Sequence, residues 1–307
     1  MITTVCLNPA IDKTAAIAQL VPGEVHRLER VRCDLGGKGL NVARALQRLG
    51  VEASCVGCLG EEGESGFLFL LAQEGLRFPH ISLPGNLRSN LKIVDEKNRQ
   101  VTEFNEPGPA MDAARWEEFL SLLQKEARGS AYVALSGSLP AGCGPSAYQQ
   151  CMQALPEHSF LLDAAGEALL LGLQGKPFLI KPNLQELQEV TGRELRTLRA
   201  IRDAAWSLVK RGARHVLVSM GSCGALLTDG VRTVFSPALQ VERGSTVGAG
   251  DAMLAGVLMG LCQGGDAFDA LRYGMAAGAA SVMTRGTEPP RPEDFHALLP
   301  KVTRQEV

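Results

Sequence analysis

The densest chemistry in this 307-residue chain lies late, at Ser245-Thr246-Val247-Gly248-Ala249-Gly250-Asp251, directly ahead of a helix-forming run at 252–262. Two glycines one residue apart let the backbone turn successive N–H groups inward, and a helix start adds the positive end of its dipole. Gly248, Ala249 and Gly250 thus read as an anion hole for a phosphate or a developing oxyanion. Asp251 stands beside that anion. A carboxylate there could simply cap the helix, but a cap does not need two flanking glycines. The chemical reading is a general base that takes a proton from an attacking hydroxyl.

A second glycine turn, Gly36-Gly37-Lys38-Gly39-Leu40-Asn41, precedes another helical run. It is not a P-loop, because the spacing G-x-x-x-x-G-K-[ST] is missing, and it is not a dinucleotide fingerprint. What remains is close backbone approach with one Lys and one Asn, which suits a polyhydroxyl ligand; a plain tight turn is the bland alternative. Third comes Lys181-Pro182-Asn183-Leu184-Gln185-Glu186 at a strand end. Asn183 and Glu186 share a face of the first helical turn, which suits an outer-sphere Mg²⁺ site and equally a capped helix start. Ser136-Gly137-Ser138-Leu139-Pro140 and Ser219-Met220-Gly221-Ser222-Cys223-Gly224 are two further strand-end loops. In open α/β sheets ligands gather at that edge.

These loops need a scaffold, and the chain supplies one. Apolar, strand-like runs occupy 2–7, 53–59, 131–136, 160–163, 178–181 and 215–219. Several are apolar nearly throughout, as expected for parallel strands covered on both faces. Amphipathic helical patterns lie between them, such as 41–49, which stops at Gly50, and a run capped by Asp112 with the stripe Trp116, Phe119, Leu120 and Leu123. Repeated strand–helix–strand units imply a parallel sheet with helices on both sides. Segments 11–33 and 86–105 break the rhythm. Both are polar and alternating, and the second holds a hairpin signature around Asp95-Glu96-Lys97-Asn98. Surface hairpins with no role are the bland alternative; the other motifs favour their pairing into a small sheet that covers the site as a lid.

Composition excludes other classes. Hydrophobic residues are 45% and charged residues 21%, so the chain is globular. With 31 basic against 33 acidic side chains, and aromatics at only 5%, no nucleic-acid partner is expected. No run is long enough to span a membrane and no signal peptide is seen, so a cytoplasmic location is expected. Eight cysteines are too few for a disulfide scaffold. Cys55-Val56-Gly57-Cys58 lies inside a strand-like run and reads as ordinary buried thiols.

Taken together, these motifs resemble the PfkB/ribokinase-like carbohydrate kinases, from Leu7-Asn8-Pro9-Ala10-Ile11-Asp12 through Ala276-Ala277-Gly278-Ala279-Ala280, essentially the whole chain. The opening Asn-Pro-Ala-Ile-Asp, the Gly-Gly-Lys-Gly-Leu-Asn, the Ser-Gly-Ser-Leu-Pro and the Arg88-Ser89-Asn90 context are similar to the branch of 1-phosphofructokinases and tagatose-6-phosphate kinases. The resemblance implies one ribokinase-like three-layer α/β/α domain over 1–307, with a mostly parallel central sheet and a small β-sheet lid from 11–33 and 86–105. It implies Asp251 as base, with the N–H groups of Gly248, Ala249 and Gly250 stabilising the transferred phosphoryl. Asn183 and Glu186 would organise Mg²⁺, through water, around ATP, and Lys181, Ser219, Gly221 and Gly224 would line the ATP side. Asp12, Gly37 and Asn41 would hold sugar hydroxyls, and Lys38, Arg88 and Ser138 the phosphate already on a ketohexose. A homodimer through the lid is implied as well. Met220 departs mildly from a Leu common in relatives. A non-catalytic sugar-phosphate sensor should lack the base or an anion-hole glycine, yet Asp251, Gly248 and Gly250 are intact. A nucleoside kinase would want apolar base contacts where Lys38 and Arg88 stand.

Overall fold

The computed structural model describes residues 1–242 and 244–307. Its main sheet has ten strands. The strand Ile2–Cys6 lies near one end, between Tyr132–Ser136 and Ala53–Glu62, and His80–Asn86 forms the edge beyond Ala53–Glu62. On the other side follow Ser159–Asp163, Leu179–Ile180 and His215–Ser219, all parallel. Three antiparallel strands, Ala225–Thr228, Thr233–Ser236 and Gln305–Glu306, complete that edge. The expected strand at 178–181 shortens to Leu179–Ile180, since Pro177 and Pro182 flank it and proline cannot donate to a ladder.

The apolar strands hide a period of two. Val133, Leu135, Leu162, Val216 and Val218 pack in one core layer, while Ala134, Leu161 and Leu217 pack in the other. The first layer is closed by helices that include Ala113–Glu126 and Leu198–Lys210. The second is closed by Lys38–Arg48, Ala249–Cys262 and Ala267–Val282. Asp112 caps its helix as expected, accepting from Arg115 N at 2.8 Å. Gly50 takes the left-handed conformation just past the first helix. Cys55 and Cys58 are free thiols within a strand, and burial pushes both well above the usual thiol range.

Segments 11–33 and 86–105 do meet. Their strands form a separate four-stranded sheet in the order Val31–Gly36, Ala10–Ile17, Arg88–Asp95, Gln100–Asn105. Ala10–Ile17 runs parallel to Arg88–Asp95, with Asp12 opposite Asn90. Asp95 closes the hairpin by accepting from Asn98 N at 2.9 Å. The alternation of polar side chains along these strands places Asp12, Asn90, Lys92, Glu103 and Asn105 on one face. That face forms one wall of a cleft of about 740 Å³, and the C-terminal ends of the parallel strands form the floor.

Candidate active site

Two helix starts come nearer the cleft than the sequence pattern implied. The first helix begins at Lys38, inside the glycine motif, with Gly37 as N-cap. Gly37 has φ +123°, and a Cβ there would lie 2.5 Å from Cys6 Sγ, so the turn admits only glycine. The late helix begins at Ala249 rather than 252, because Gly248 at φ +80° is its N-cap. Asp251 is therefore in the first turn, and no side chain caps the helix. The capping reading of this carboxylate is thereby excluded.

Asp251 is the single charged residue of Ala249–Cys262, a helix buried along most of its length. Its side chain faces the cleft, 6% exposed, and accepts from Asn41 Nδ2 at 2.9 Å. Burial, followed by the nearby charge of Asp163, pushes its pKa up to about 6. The Asn41 hydrogen bond, Lys181 and Lys38 pull the other way. An acid poised near neutrality in a cleft is what general-base catalysis needs. Of the three N–H groups expected in the anion hole, Ala249 N–H donates to Thr246 O at 3.3 Å. Those of Gly248 and Gly250 have no backbone partner among the described residues. Lys181 Nζ lies 3.3 Å from where a side chain at Gly250 would begin.

Across from Asp251 stands a residue the sequence did not single out. Asp163 ends the strand Ser159–Asp163 and is fully buried. Lys38 Nζ and Lys181 Nζ each lie 2.9 Å from one of its oxygens. Burial alone would raise its pKa, but the two ammonium groups win and hold it below the usual carboxylate range. Burial also works against the Lys38 ammonium, and Asp163 more than offsets it. Lys38 Nζ is also 3.7 Å from Glu186 Oε1. Lys38 therefore points toward Asp163 and Glu186. Arg88, expected beside it, instead donates from Nε to Asn8 O at 3.0 Å. The two cations share no partner.

Asn183 and Glu186 form a capping box: Asn183 Oδ1 accepts from Glu186 N at 2.9 Å, and Glu186 Oε2 accepts from Asn183 N at 2.8 Å. The bland reading of this motif is thus realised. It leaves Asn183 Nδ2, a donor, and Glu186 Oε1, an acceptor approached by Lys38 Nζ at 3.7 Å, outside the cap. Among the described residues, no group of three His, Cys, Asp or Glu side chains is placed to hold a metal. The Glu186 oxygen fits a water on an ion carried by phosphates. The Asn183 amide N–H group does not, since it can only donate and its oxygen is already used in the cap, so Asn183 suits a phosphate oxygen rather than the metal.

Asp12, Gly37, Lys38, Asn41, Arg88, Lys181, Asn183, Ser219, Gly221, Gly224, Gly248, Ala249, Gly250 and Asp251 all line the one cleft. Ser138 and Glu186 do not. Ser138 is exposed beside Asn8, whose Nδ2 donates to it at 3.3 Å, and Glu186 joins through Lys38. Asp12 is held on both oxygens, by Asn90 Nδ2 at 2.8 Å and Lys92 Nζ at 3.1 Å. From the sequence, no site role fell to Lys92 or to Asn90, which entered only through the Arg88-Ser89-Asn90 context, although the Arg88, Asn90, Lys92 alternation marks both. An apolar end formed by Leu239, Val241, Met275 and Val282 also carried no local signal.

A buried carboxylate titrating near 6, N–H groups without a backbone partner at a helix start and two lysines converging on a second carboxylate share this cleft. The model of the pfkB family of carbohydrate kinases matches residues 5–294, and the chain belongs to that family. It is 1-phosphofructokinase-like. A protein named 1-phosphofructokinase from Rhodobacter capsulatus is 39% identical over 306 residues, covering 98% of this chain and 96% of that protein. Another of that name, from Escherichia coli K12, is 34% identical, covering 92% and 90%. Among solved structures, phosphofructokinase-2 from Escherichia coli in complex with fructose-6-phosphate superposes with TM-score 0.89 at 28% identity, covering 98% of each chain. No described helix is long and apolar enough to cross a membrane.

Proposed function

We propose that this enzyme transfers the γ-phosphoryl of ATP to a ketohexose monophosphate, converting fructose 1-phosphate to fructose 1,6-bisphosphate. The observation that carries the reading is Asp251. It is a buried carboxylate at a helix start, titrating near 6, with the N–H groups of Gly248 and Gly250 just before it and the ammonium groups of Lys181 and Lys38 acting on it. The relatives' shared name supplies the substrate.

The sugar lies against the polar face of the small sheet, its hydroxyls toward Asp12, Asn90 and Asn105 and its resident phosphate toward Arg88. The small sheet acts as a lid that excludes water, which would otherwise accept the phosphoryl. Asp251 takes the proton from the free primary hydroxyl as it attacks. Phosphoryl transfer needs positioning and charge stabilisation more than covalent chemistry. The N–H groups of Gly248 and Gly250 and the Lys38 and Lys181 ammonium groups stabilise the phosphoryl in transit. Since Lys38 is tied to Asp163 and Glu186, it serves this group rather than the resident phosphate. Lys181, Asn183, Ser219, Gly221 and Gly224 lie along the nucleotide, whose base sits at the apolar end. Bound with the nucleotide, Mg²⁺ would neutralise phosphate charge, and Glu186 Oε1 would hold one of its waters. The outer face of the small sheet, where Leu91 pairs with Phe104, offers the surface for a homodimer; Phe104 is 55% exposed.

Carbons 1 and 6 of a ketofuranose are both exocyclic CH₂–O positions, so the substrate is decided by assay. A coupled assay with ATP against fructose 1-phosphate, tagatose 6-phosphate and fructose 6-phosphate should give the highest kcat/KM on the first. A higher value on tagatose 6-phosphate would reassign the substrate. Turnover of none of the three would end the reading.

A further inference from the structure

We propose that Arg44 is a positioning residue for the reaction, fixing the orientation of the Asn41 amide and so the atom of Asn41 that faces Asp251. The inference deepens the reading of Asp251 as base and rests on it. Arg44 lies one turn beyond Asn41 on the helix Lys38–Arg48 and is 5% exposed. Its guanidinium is held by a two-point fork: Nε to Glu74 Oε2 at 2.6 Å and Nη2 to Glu74 Oε1 at 2.7 Å. That leaves Nη1 aimed at three acceptors, namely Thr287 O at 3.1 Å and Leu35 O and Asn41 Oδ1 at 3.4 Å each.

An asparagine amide has two nearly isosteric orientations, one the flip of the other. Here the two ends meet opposite charges. With Oδ1 toward the Arg44 guanidinium, Nδ2 donates to Asp251 Oδ2 at 2.9 Å. After a flip, the amide N–H groups would face the guanidinium and the oxygen would face a carboxylate, so both contacts turn repulsive. The 3.4 Å contact therefore acts as a selector, whatever its own strength. Lysine cannot replace it, because only the planar fork engages Glu74 and still projects a further donor. The same nitrogen touches Leu35, at the foot of the small sheet, and Thr287, beyond the helix Ala267–Val282. The amide is thus set against parts of the chain far apart in sequence.

The other groups acting on Asp251 are Asp163, at its strand end, and Lys181 and Lys38. Asn41's donated hydrogen bond favours the ionised base. Losing it moves the acidic limb of the kcat/KM profile to higher pH, a readout that a merely structural role would leave in place. The experiment is a double-mutant cycle on that limb with wild type, Arg44→Gln, Asn41→Ala and the double variant. Arg44→Gln should lower kcat by about 2- to 10-fold and raise the limb. In the Asn41→Ala background it should move the limb no further. An equal second shift in the double variant would overturn the proposal, as would no shift in the single one. If Arg44→Gln does not fold, Glu74→Gln takes its place in both backgrounds. It loosens the fork from a side chain that is 31% exposed, and the same two outcomes decide. The underlying reading fails separately, if Asp251→Asn keeps normal kcat.

Discussion

Asp163 and Asp251 face one cleft, are both buried, and titrate in opposite directions. The strand end presents Asp163 to two lysines at 2.9 Å, and their charges hold it ionised against its burial. The helix start presents Asp251 to one neutral amide, and burial together with the charge of Asp163 lifts it to about 6. Two carboxylates set apart by environment are how one site divides roles. The first serves as a permanent anion that gathers cations. The second can take a proton and give it back. The second depends on the first, since the charge of Asp163 helps to make Asp251 basic.

Asp251→Asn breaks the comparison most directly. The amide keeps the shape of the side chain and cannot accept the proton. General-base catalysis is worth roughly 10²–10⁴-fold, so kcat should fall by at least ~100-fold while the ATP KM stays close to wild type. Steady-state kinetics check this, and near-normal kcat would return the base role to another group.

Arg88→Ala is the control on the sugar side, because Arg88 shares no partner with either carboxylate. Losing a charge-assisted contact to the resident phosphate, worth about 1.5–3 kcal/mol, should raise the sugar-phosphate KM by roughly 10- to 150-fold. The acidic limb of the pH profile should not move, and unphosphorylated fructose should be nearly indifferent. Equal losses on fructose and fructose 1-phosphate would mean that Arg88 supports the lid instead.

Asp163→Asn sharpens the dependence of one carboxylate on the other. It removes a negative charge from near Asp251 and leaves the lysines in place, so the acidic limb should move to lower pH. Activity should drop severalfold, as two ammonium groups lose the anion that aims them. This limb shift has the opposite sign to that expected for Asn41→Ala. A pH–rate series on both variants separates them, and shifts in the same direction would mean general disruption.

Much of this site was legible in the sequence where chemistry and backbone geometry coincide. The glycines of 248–250 and 36–39 announce their turns because few other residues fit, while the alternation of 11–33 and 86–105 left surface hairpins possible until the neighbouring motifs favoured their pairing. The late helix start was obscured by the same glycines, whose weak helix propensity hides the first turn that carries Asp251. Asp163 was illegible for another reason. Phe160-Leu161-Leu162-Asp163 is one more buried strand, and nothing local says that Lys38 and Lys181 converge on its last residue. Orientation was equally hidden. Asn41 was expected to hold sugar, yet its donor is directed at Asp251, a relation spanning 210 residues.

The smallest expected effect concerns stability, and it separates the two carboxylates again. Asp251 titrates near 6 in the folded chain against an ordinary value of 3.8. Folding therefore opposes its ionisation. The penalty is absent below about pH 4, grows as pH rises toward 6 and is complete above it. A shift of about two units corresponds to roughly 3 kcal/mol. Asp251→Asn removes the charge and still offers an oxygen to Asn41, so it should raise Tm by a few degrees at pH 7.5. The gain should shrink as pH falls and vanish near pH 4. Asp163 lies on the other side of its ordinary value, so it stabilises the fold above that value and loses this contribution as pH falls through its lower folded pKa. Asp163→Asn should accordingly lower Tm at pH 7.5. Calorimetry of the two variants across pH 4 to 8 tests the pair, and a Tm loss in both at pH 7.5 would show that Asp251 is held as a structural charge like Asp163.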